Sequence, residues 1–243
     1  MSAVIIPARL GSTRFPGKVL ADIGGEPMIV RVAKQALLTK ADRVAVVTDS
    51  EDVLKVCSGL SGVTAMISPS DLATGTDRVA FAAKDFDDDI IINVQGDEPF
   101  IPPSLIDSLI DGLACDENSD MITACVPFAD LKLSENPSAV KVVLDEYGYA
   151  VYFSRCPIPF NRDGISDIIR YRHIGIYGFR REYLFKFAKE EKSFLERCEN
   201  LEQLRAIERG VKIKVVKTDY NPISVDTYED LQNALKFLES EKQ

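Results

Sequence analysis

A chain of 243 residues, 46% hydrophobic and 28% charged, is long enough for one large α/β unit with a sizeable core. Its formal net charge of -9 excludes general binding to nucleic acid or to anionic lipid, because the long-range field repels polyphosphates. Any phosphate it holds must be gripped locally, with a divalent cation to help.

In chain order, Ala3–Ile6 reads as a strand, Met28–Leu38 as an amphipathic helix and Arg43–Thr48 as the next strand. Asp49, with Asp52 three residues on, has the pattern of a helix cap. Val63–Ile67 is a third strand and Thr76–Lys84 a helix. "DIIINVQ" (Asp89–Gln95) is apolar without alternation, as strands covered on both faces are. Pro102 and Pro103 open a helix whose inner side carries Leu105, Ile106, Leu109, Ile110 and Leu113, and Met121–Val126 follows as a strand. This rhythm predicts a mainly parallel sheet with helices on both faces.

Beyond Val140, "AVKVVLD", "YAVYFS" and "RHIGIYGF" are strand candidates with few helices between them, which predicts a small antiparallel flap at roughly 140–180. A helix (Leu201–Arg209), a strand (Lys212–Lys217) and a last helix capped by Thr227 and Asp230 complete a single domain, 1–243. No apolar stretch approaches the ~20 residues of a membrane span, and the first cations follow the opening apolar run, unlike a secretory signal. The five cysteines form no CxxC pair and read as reduced core thiols of a cytosolic protein. With one histidine, His173, a zinc site is implausible, so a bound metal would be a hard ion on carboxylates.

Ligands of open α/β sheets bind beyond the carboxyl ends of the strands, which sorts the motifs by position. The loop after the first strand, "PARLGSTRFPGK", carries Arg9, Arg14 and Lys18 with no acid before Asp22. Its glycines and proline can present backbone N–H groups to an anion while the cations grip phosphate oxygens. The competing explanation is a solvated connection with scattered cations. The loop matches neither GxxxxGK[ST] nor GxGxxG, which disfavours Walker-type and nicotinamide sites.

In "NVQGDEPF", Asp97 stands where a buried strand ends, the place for a carboxylate that holds Mg²⁺ on a nucleotide; an ordinary Gly-Asp turn explains it equally well in isolation. Asp226 precedes the Thr227 cap and is free to face the same crevice. "ATGTDR" (Ala73–Arg78) offers small residues against which a flat base can lie, or simply a Thr-capped helix start. Arg155, Tyr177, Glu202 and Gln203 carry no signal of their own, and a lone His on an apolar strand such as His173 is more often a satisfied core residue.

Taken together, "IPARLGSTRFPGK", "ATGTDR", "NVQGDEPF", "KVVLDEYGYAVYFSR", "RHIGIYGF", "LEQLRA" and "VDTYEDL" resemble the 3-deoxy-manno-octulosonate (Kdo) cytidylyltransferase family over nearly the whole chain. The resemblance implies a Rossmann-like three-layer α/β/α nucleotidyltransferase fold with a mainly parallel sheet and a small antiparallel inserted lobe. It implies transfer from CTP to Kdo, giving CMP-Kdo and pyrophosphate for lipopolysaccharide synthesis, in a cytoplasmic homodimer joined through that lobe. It places Pro7, Ala8, Arg9, Arg14, Lys18 and Ala73, Thr74, Gly75, Thr76, Arg78 on the nucleotide. Asp97 and Asp226 would hold Mg²⁺, with Lys18 beside them in catalysis. Gln95, Arg155, His173, Tyr177, Glu202 and Gln203 would form the sugar pocket, Arg155 meeting the sugar carboxylate. An 8-amino sugar acid, another sugar acid, or a nucleotide-sugar binding module without turnover are the alternatives.

Overall fold

The structure is a computed structural model that describes residues 1–11 and 14–240. Its first half alternates strands and helices: β1 (Ser2–Ala8), α1 (Met28–Leu37), β2 (Arg43–Thr48), α2 (Glu51–Ser58), β3 (Val63–Ile67), α3 (Gly75–Ala82), β4 (Ile90–Asn93) and α4 (Pro103–Cys115). Strands β5 (Met121–Pro127), β6 (Lys141–Leu144), β7 (Ala150–Ser154) and β8 (Tyr171–Arg180) follow. Helices α5 (Arg181–Lys189), α6 (Phe194–Glu199) and α7 (Leu204–Glu208) lead to β9 (Ile213–Lys217) and α8 (Tyr228–Ser240).

The main sheet runs in the order β3-β2-β1-β4-β8-β5-β9, and only β8 is antiparallel to its neighbours β4 and β5. β1 is buried along its whole length, and its alternation divides the core. Val4 and Ile6 join Ile29, Leu105 and Leu109 from α1 and α4; Ala3 and Ile5 join Val79, Leu184 and Leu204 from α3, α5 and α7. Helices thus cover both faces, which is why β1 and β4 are apolar without a polar side.

Three expectations need correcting. β8 does not belong to a separate flap: only β6 and β7 lie off the main path, and β8 threads between β4 and β5, its apolar side chains packed on both faces. Asp49 does not cap α2, whose N-cap is Ser50 without a side-chain bond; its carboxylate instead accepts the Leu10 N–H and pairs with Arg78. All five cysteines are free, but only Cys57 and Cys125 are core thiols. Cys115, Cys156 and Cys198 are exposed, at the last residue of α4, just past β7 and on α6.

Helices α5 and α6 were not anticipated. Their signals are present: Tyr183, Leu184 and Phe187 make one buried face of α5, and Ser193 with Glu196 forms a capping box at the start of α6. No helix is long and apolar enough to cross a membrane among the described residues.

Candidate active site at the carboxyl ends of the strands

The loop leaving β1 is closed on itself before it reaches the cleft. Gly17 adopts φ 71°, a conformation that favours glycine, and its N–H donates to the Leu10 carbonyl at 3.2 Å. The turn delivers Lys18 under the sheet edge, where its ammonium contacts Asp97 Oδ2 at 2.6 Å and Asp226 Oδ1 at 2.7 Å. Arg14 Nη2 reaches Asp226 Oδ2 at 3.0 Å. Two acids far apart in sequence therefore meet on one cation.

The main chain fixes that meeting. The Val225 N–H donates to the Asp97 carbonyl at 3.0 Å, so the segment before Asp226 runs directly against the one containing Asp97. Asp230 accepts from the Asp226 and Thr227 N–H groups and caps α8, which leaves the Asp226 carboxylate free to face the cleft. At Gly96 a Cβ would lie 3.0 Å from the Pro7 carbonyl oxygen, so glycine lets the chain after β4 close on the end of β1 without pushing that backbone aside.

Burial works against the Lys18 ammonium, but the Asp97 and Asp226 carboxylates outweigh it and its pKa is raised. Burial likewise opposes the charged form of Asp226, yet Lys18 and Arg14 overcome it and hold that carboxyl below its ordinary value. The site is a fixed array of paired charges.

A cleft of about 330 Å³ lies above this pair, bordered by Pro7, Arg9, Lys18 and, on the far side, Ala73, Thr74 and Gly75. Arg9 is exposed and Ala8 buried. Thr74 caps α3 in a reciprocal box with Asp77. Arg78 borders the cleft, but its guanidinium is buried and committed to Asp49, Ser68 and the Pro69 carbonyl. It buttresses the cleft wall.

Gln95 begins a chain of hydrogen bonds leading away from the cleft. It donates to Asn93 at 3.2 Å, Asn93 to Thr76 Oγ1 at 3.5 Å, and Thr76 Oγ1 to Glu202 at 2.7 Å. Burial raises the Glu202 carboxyl, with Thr76 and Arg205 only partly offsetting it. Arg205 anchors α7 by a forked pair of 2.8 Å contacts to Glu196. Nearby Gln203 is buried with its Nε2 unpartnered, and one Glu202 oxygen accepts no hydrogen bond.

His173 and Tyr177 approach from β8. Four residues of regular strand span roughly 13 Å, but a bulge opposite Thr123 and Ala124 folds the strand so that the two rings lie 5.4 Å apart. Thr123 Oγ1 donates its single proton to the Ile176 carbonyl at 2.7 Å, so His173 Nε2, 2.9 Å away, is the donor between them. Burial, with a small push from Arg172, drives the imidazole pKa down to about 3, and His173 is neutral. Burial beside Glu202 keeps Tyr177 protonated.

Arg155 lies between β7 and α6. Each guanidinium nitrogen donates to a main-chain carbonyl, of Glu199, Pro137 and Asn200, which leaves two of its five N–H groups for an anion. Two polar groups are given no role from the sequence: Glu98, which stands with Asp97 at the end of the buried strand but is passed over for it, and Arg172. Glu98 lies beside Asp97 and accepts from Tyr220 at 3.3 Å; burial and the neighbouring Asp97 charge push its pKa up to about 8. Arg172 borders a second cavity, which shares Arg14 and Asp226 with the cleft. The "QGDEP" run contained a signal for Glu98; nothing local marked Arg172.

The residues present fit Mg²⁺. Asp97 and Asp226 already converge on one cation with hard oxygen donors, and Mg²⁺ takes its other ligands from phosphate and water. Among the described residues no cluster of three acidic, His or Cys side chains could hold a metal alone.

A Rossmann-like α/β sheet with paired acids and cations at the carboxyl ends of its strands defines a nucleotidyltransferase-type fold. The cytidylyltransferase family profile matches residues 3–213. The 3-deoxy-manno-octulosonate cytidylyltransferase of Geotalea uraniireducens (strain Rf4) is 45% identical over 248 residues, covering 96% of this chain and 97% of that one. The protein of the same name from Chloroherpeton thalassium (strain ATCC 35110 / GB-78) is 44% identical over 237 residues, covering 95% and 94%. The solved structure of CMP:2-keto-3-deoxy-manno-octonic acid synthetase complexed with CTP superimposes with a TM-score of 0.94 at 35% identity, covering 99% of both chains. The chain belongs to the cytidylyltransferase family.

Proposed function

We propose that the protein transfers the cytidylyl group of CTP to 3-deoxy-D-manno-octulosonate, giving CMP-Kdo and pyrophosphate for lipopolysaccharide synthesis. The observation that carries this reading is the meeting of Asp97, Asp226, Lys18 and Arg14 at the mouth of a cleft shaped for a nucleotide. The near full-length likeness to proteins named for this activity supports it.

In the reaction the anomeric hydroxyl oxygen of the sugar bonds to the α-phosphorus while the bond to the β-phosphate oxygen breaks. Two anions, a sugar carboxylate and a triphosphate, must be brought together. Ala73, Thr74 and Gly75 seat the cytosine, while Arg9, Arg14 and Lys18 hold the phosphates and screen that repulsion. Asp97 and Asp226 would hold Mg²⁺, which would supply charge neutralisation on the phosphates. Glu202, Gln203, Tyr177 and neutral His173 offer hydrogen-bonding groups to the sugar hydroxyls, and Gln95 links the two sides. Arg155 offers its two remaining N–H groups to the sugar carboxylate.

The reading treats 1–243 as one domain of a cytoplasmic homodimer. Phe160, Ile165 and Ile169, exposed on the segment between β7 and β8, favour a second copy packing there, which sedimentation checks. The function is tested by incubating the protein with CTP, Mg²⁺ and a panel of sugar acids, including the 8-amino analogue, and following pyrophosphate release. Release with Kdo is expected. Release only with another acid reassigns the substrate, and CTP binding without release from any acid defeats the reading.

A further inference from the structure

Arg172 and His173 are consecutive on β8, and strand alternation sends them to opposite faces of the sheet. His173 packs against Phe153 on the α3/α5/α7 side; Arg172 faces the other side, on a cavity of about 400 Å³ at the ends of β5 and β8. Its guanidinium makes no hydrogen bond or ion pair with any described residue. Glu98 and Tyr220 lie close enough to feel its charge but do not bond to it. A half-buried fork of five donors without a hydrogen-bonded acceptor points to a ligand with several acceptor oxygens.

The rest of the lining has the same character. Asn136, Ser138, Asn221 and Ser224 border the cavity, and no side-chain donor among them is engaged within the chain. The nearby acids are engaged elsewhere, apart from the second oxygen of Asp230, whose Oδ2 takes all its contacts. Asp230 caps α8, Asp226 is paired with Lys18 and Arg14, and Glu98 accepts from Tyr220. Net donor capacity therefore exceeds acceptor capacity, which suits an anion.

Arg14 and Asp226 line both this cavity and the nucleotide cleft, so the two are continuous around Asp226. In phosphoryl transfer the attacking and leaving oxygens lie roughly in line across the phosphorus. Given the functional reading above, on which this inference rests, the sugar enters beside His173, Tyr177 and Glu202, and the leaving group must depart from the other side. We propose that the Arg172 cavity receives the departing pyrophosphate. When the α-phosphorus–oxygen bond breaks, that oxygen leaves with the bonding pair. The added negative charge then falls between Arg14 and Arg172, while the sugar hydroxyl proton passes to solvent.

The test uses the full chain with Arg172→Gln and Arg172→Lys, each checked by thermal melting. Pyrophosphate with Mg²⁺ is titrated calorimetrically, and product inhibition by pyrophosphate is measured in the forward reaction. Arg172→Gln should weaken pyrophosphate binding by about tenfold or more, the worth of a charge-assisted contact. Arg172→Lys should retain part of the affinity, and the sugar-acid KM should not move. Unchanged pyrophosphate affinity in Arg172→Gln overturns the proposal. So does a raised sugar-acid KM without an effect on pyrophosphate, which would assign Arg172 to the sugar carboxylate. Failure of the wild-type protein to release pyrophosphate from CTP with any sugar acid overturns the functional reading instead, a result distinct from either.

Discussion

At the cleft floor Lys18 shares its ammonium between Asp97 and Asp226, and the three side chains stay 13%, 25% and 39% exposed. On the wall made by β8 and α7, His173, Tyr177 and Gln203 are uncharged and largely enclosed. There the Gln203 Nε2 lacks a hydrogen-bond partner, and one Glu202 oxygen accepts no hydrogen bond, with the Arg205 guanidinium 3.6 Å away. The floor holds charge that is already balanced and open to water, so its contacts can be redirected to phosphate at little cost. The wall holds polarity that is not balanced, and an unmatched buried group strongly favours a ligand able to match it. Anion handling and sugar recognition are thereby separated within one cleft.

Removing charge from the floor should have the largest effect. Asp97→Asn keeps the shape and takes away one of the two carboxylates, and turnover should fall by about 10³ or more, as when a major electrostatic contact is lost. Pyrophosphate release at saturating substrates measures it. A near-normal rate would remove Asp97 from the chemistry and break the contrast with the wall.

On the wall, Gln203→Ala should act on one substrate only. The KM for the sugar acid should rise by about tenfold, with the KM for CTP changed by less than about twofold. Equal effects on both substrates would mean that floor and wall are not separate, the hydrogen-bonded chain from Gln95 to Glu202 being the route of coupling.

The enclosed imidazole also makes a pH prediction. Unfolded His173 binds a proton below about pH 6.5, while native His173, pushed down to about 3, does not. Between those values the unfolded state holds more protons, so stability falls as the pH is lowered, by at most ~1.4 kcal/mol per pH unit from this group. Glu98, pushed up to about 8 by burial, acts in the opposite sense over the same range, so the His173 contribution is read as a difference. Urea unfolding at several values between about pH 6.5 and about pH 5 should lose stability less steeply on acidification in His173→Asn than in the wild type. An unchanged slope in the variant would mean that the imidazole is not held neutral.

Much of the floor and little of the wall was legible in the sequence, for a physical reason. Arg14, Lys18, Asp97 and Asp226 stand at element boundaries, where Gly17, Gly96 and the Thr227 cap leave local marks. His173, Tyr177, Glu202 and Gln203 lie within ordinary-looking apolar patterns, and only the β8 bulge and the Arg205–Glu196 anchor give them a common direction. The placement of β8 was missed for a related reason. An apolar strand after two hairpin strands looks like their continuation, and its insertion between β4 and β5 is set by pairing distant in sequence.

The smallest expected effect concerns a residue claimed by both structure and function. Thr74 caps α3 in a box with Asp77 and also borders the nucleotide cleft. As a cap, its replacement by Ala should cost ~1 kcal/mol in urea unfolding without nucleotide. The hydroxyl already accepts the Asp77 N–H and donates toward the Glu202 carboxylate, so it retains a lone pair for a ligand. If Thr74→Ala lowers stability by that amount while the KM for CTP stays put, the cleft reads the base through backbone held in place by the cap. If stability is unchanged and the KM rises, the side chain itself belongs to the nucleotide contacts, and the capped start of α3 is not what shapes the base-binding edge.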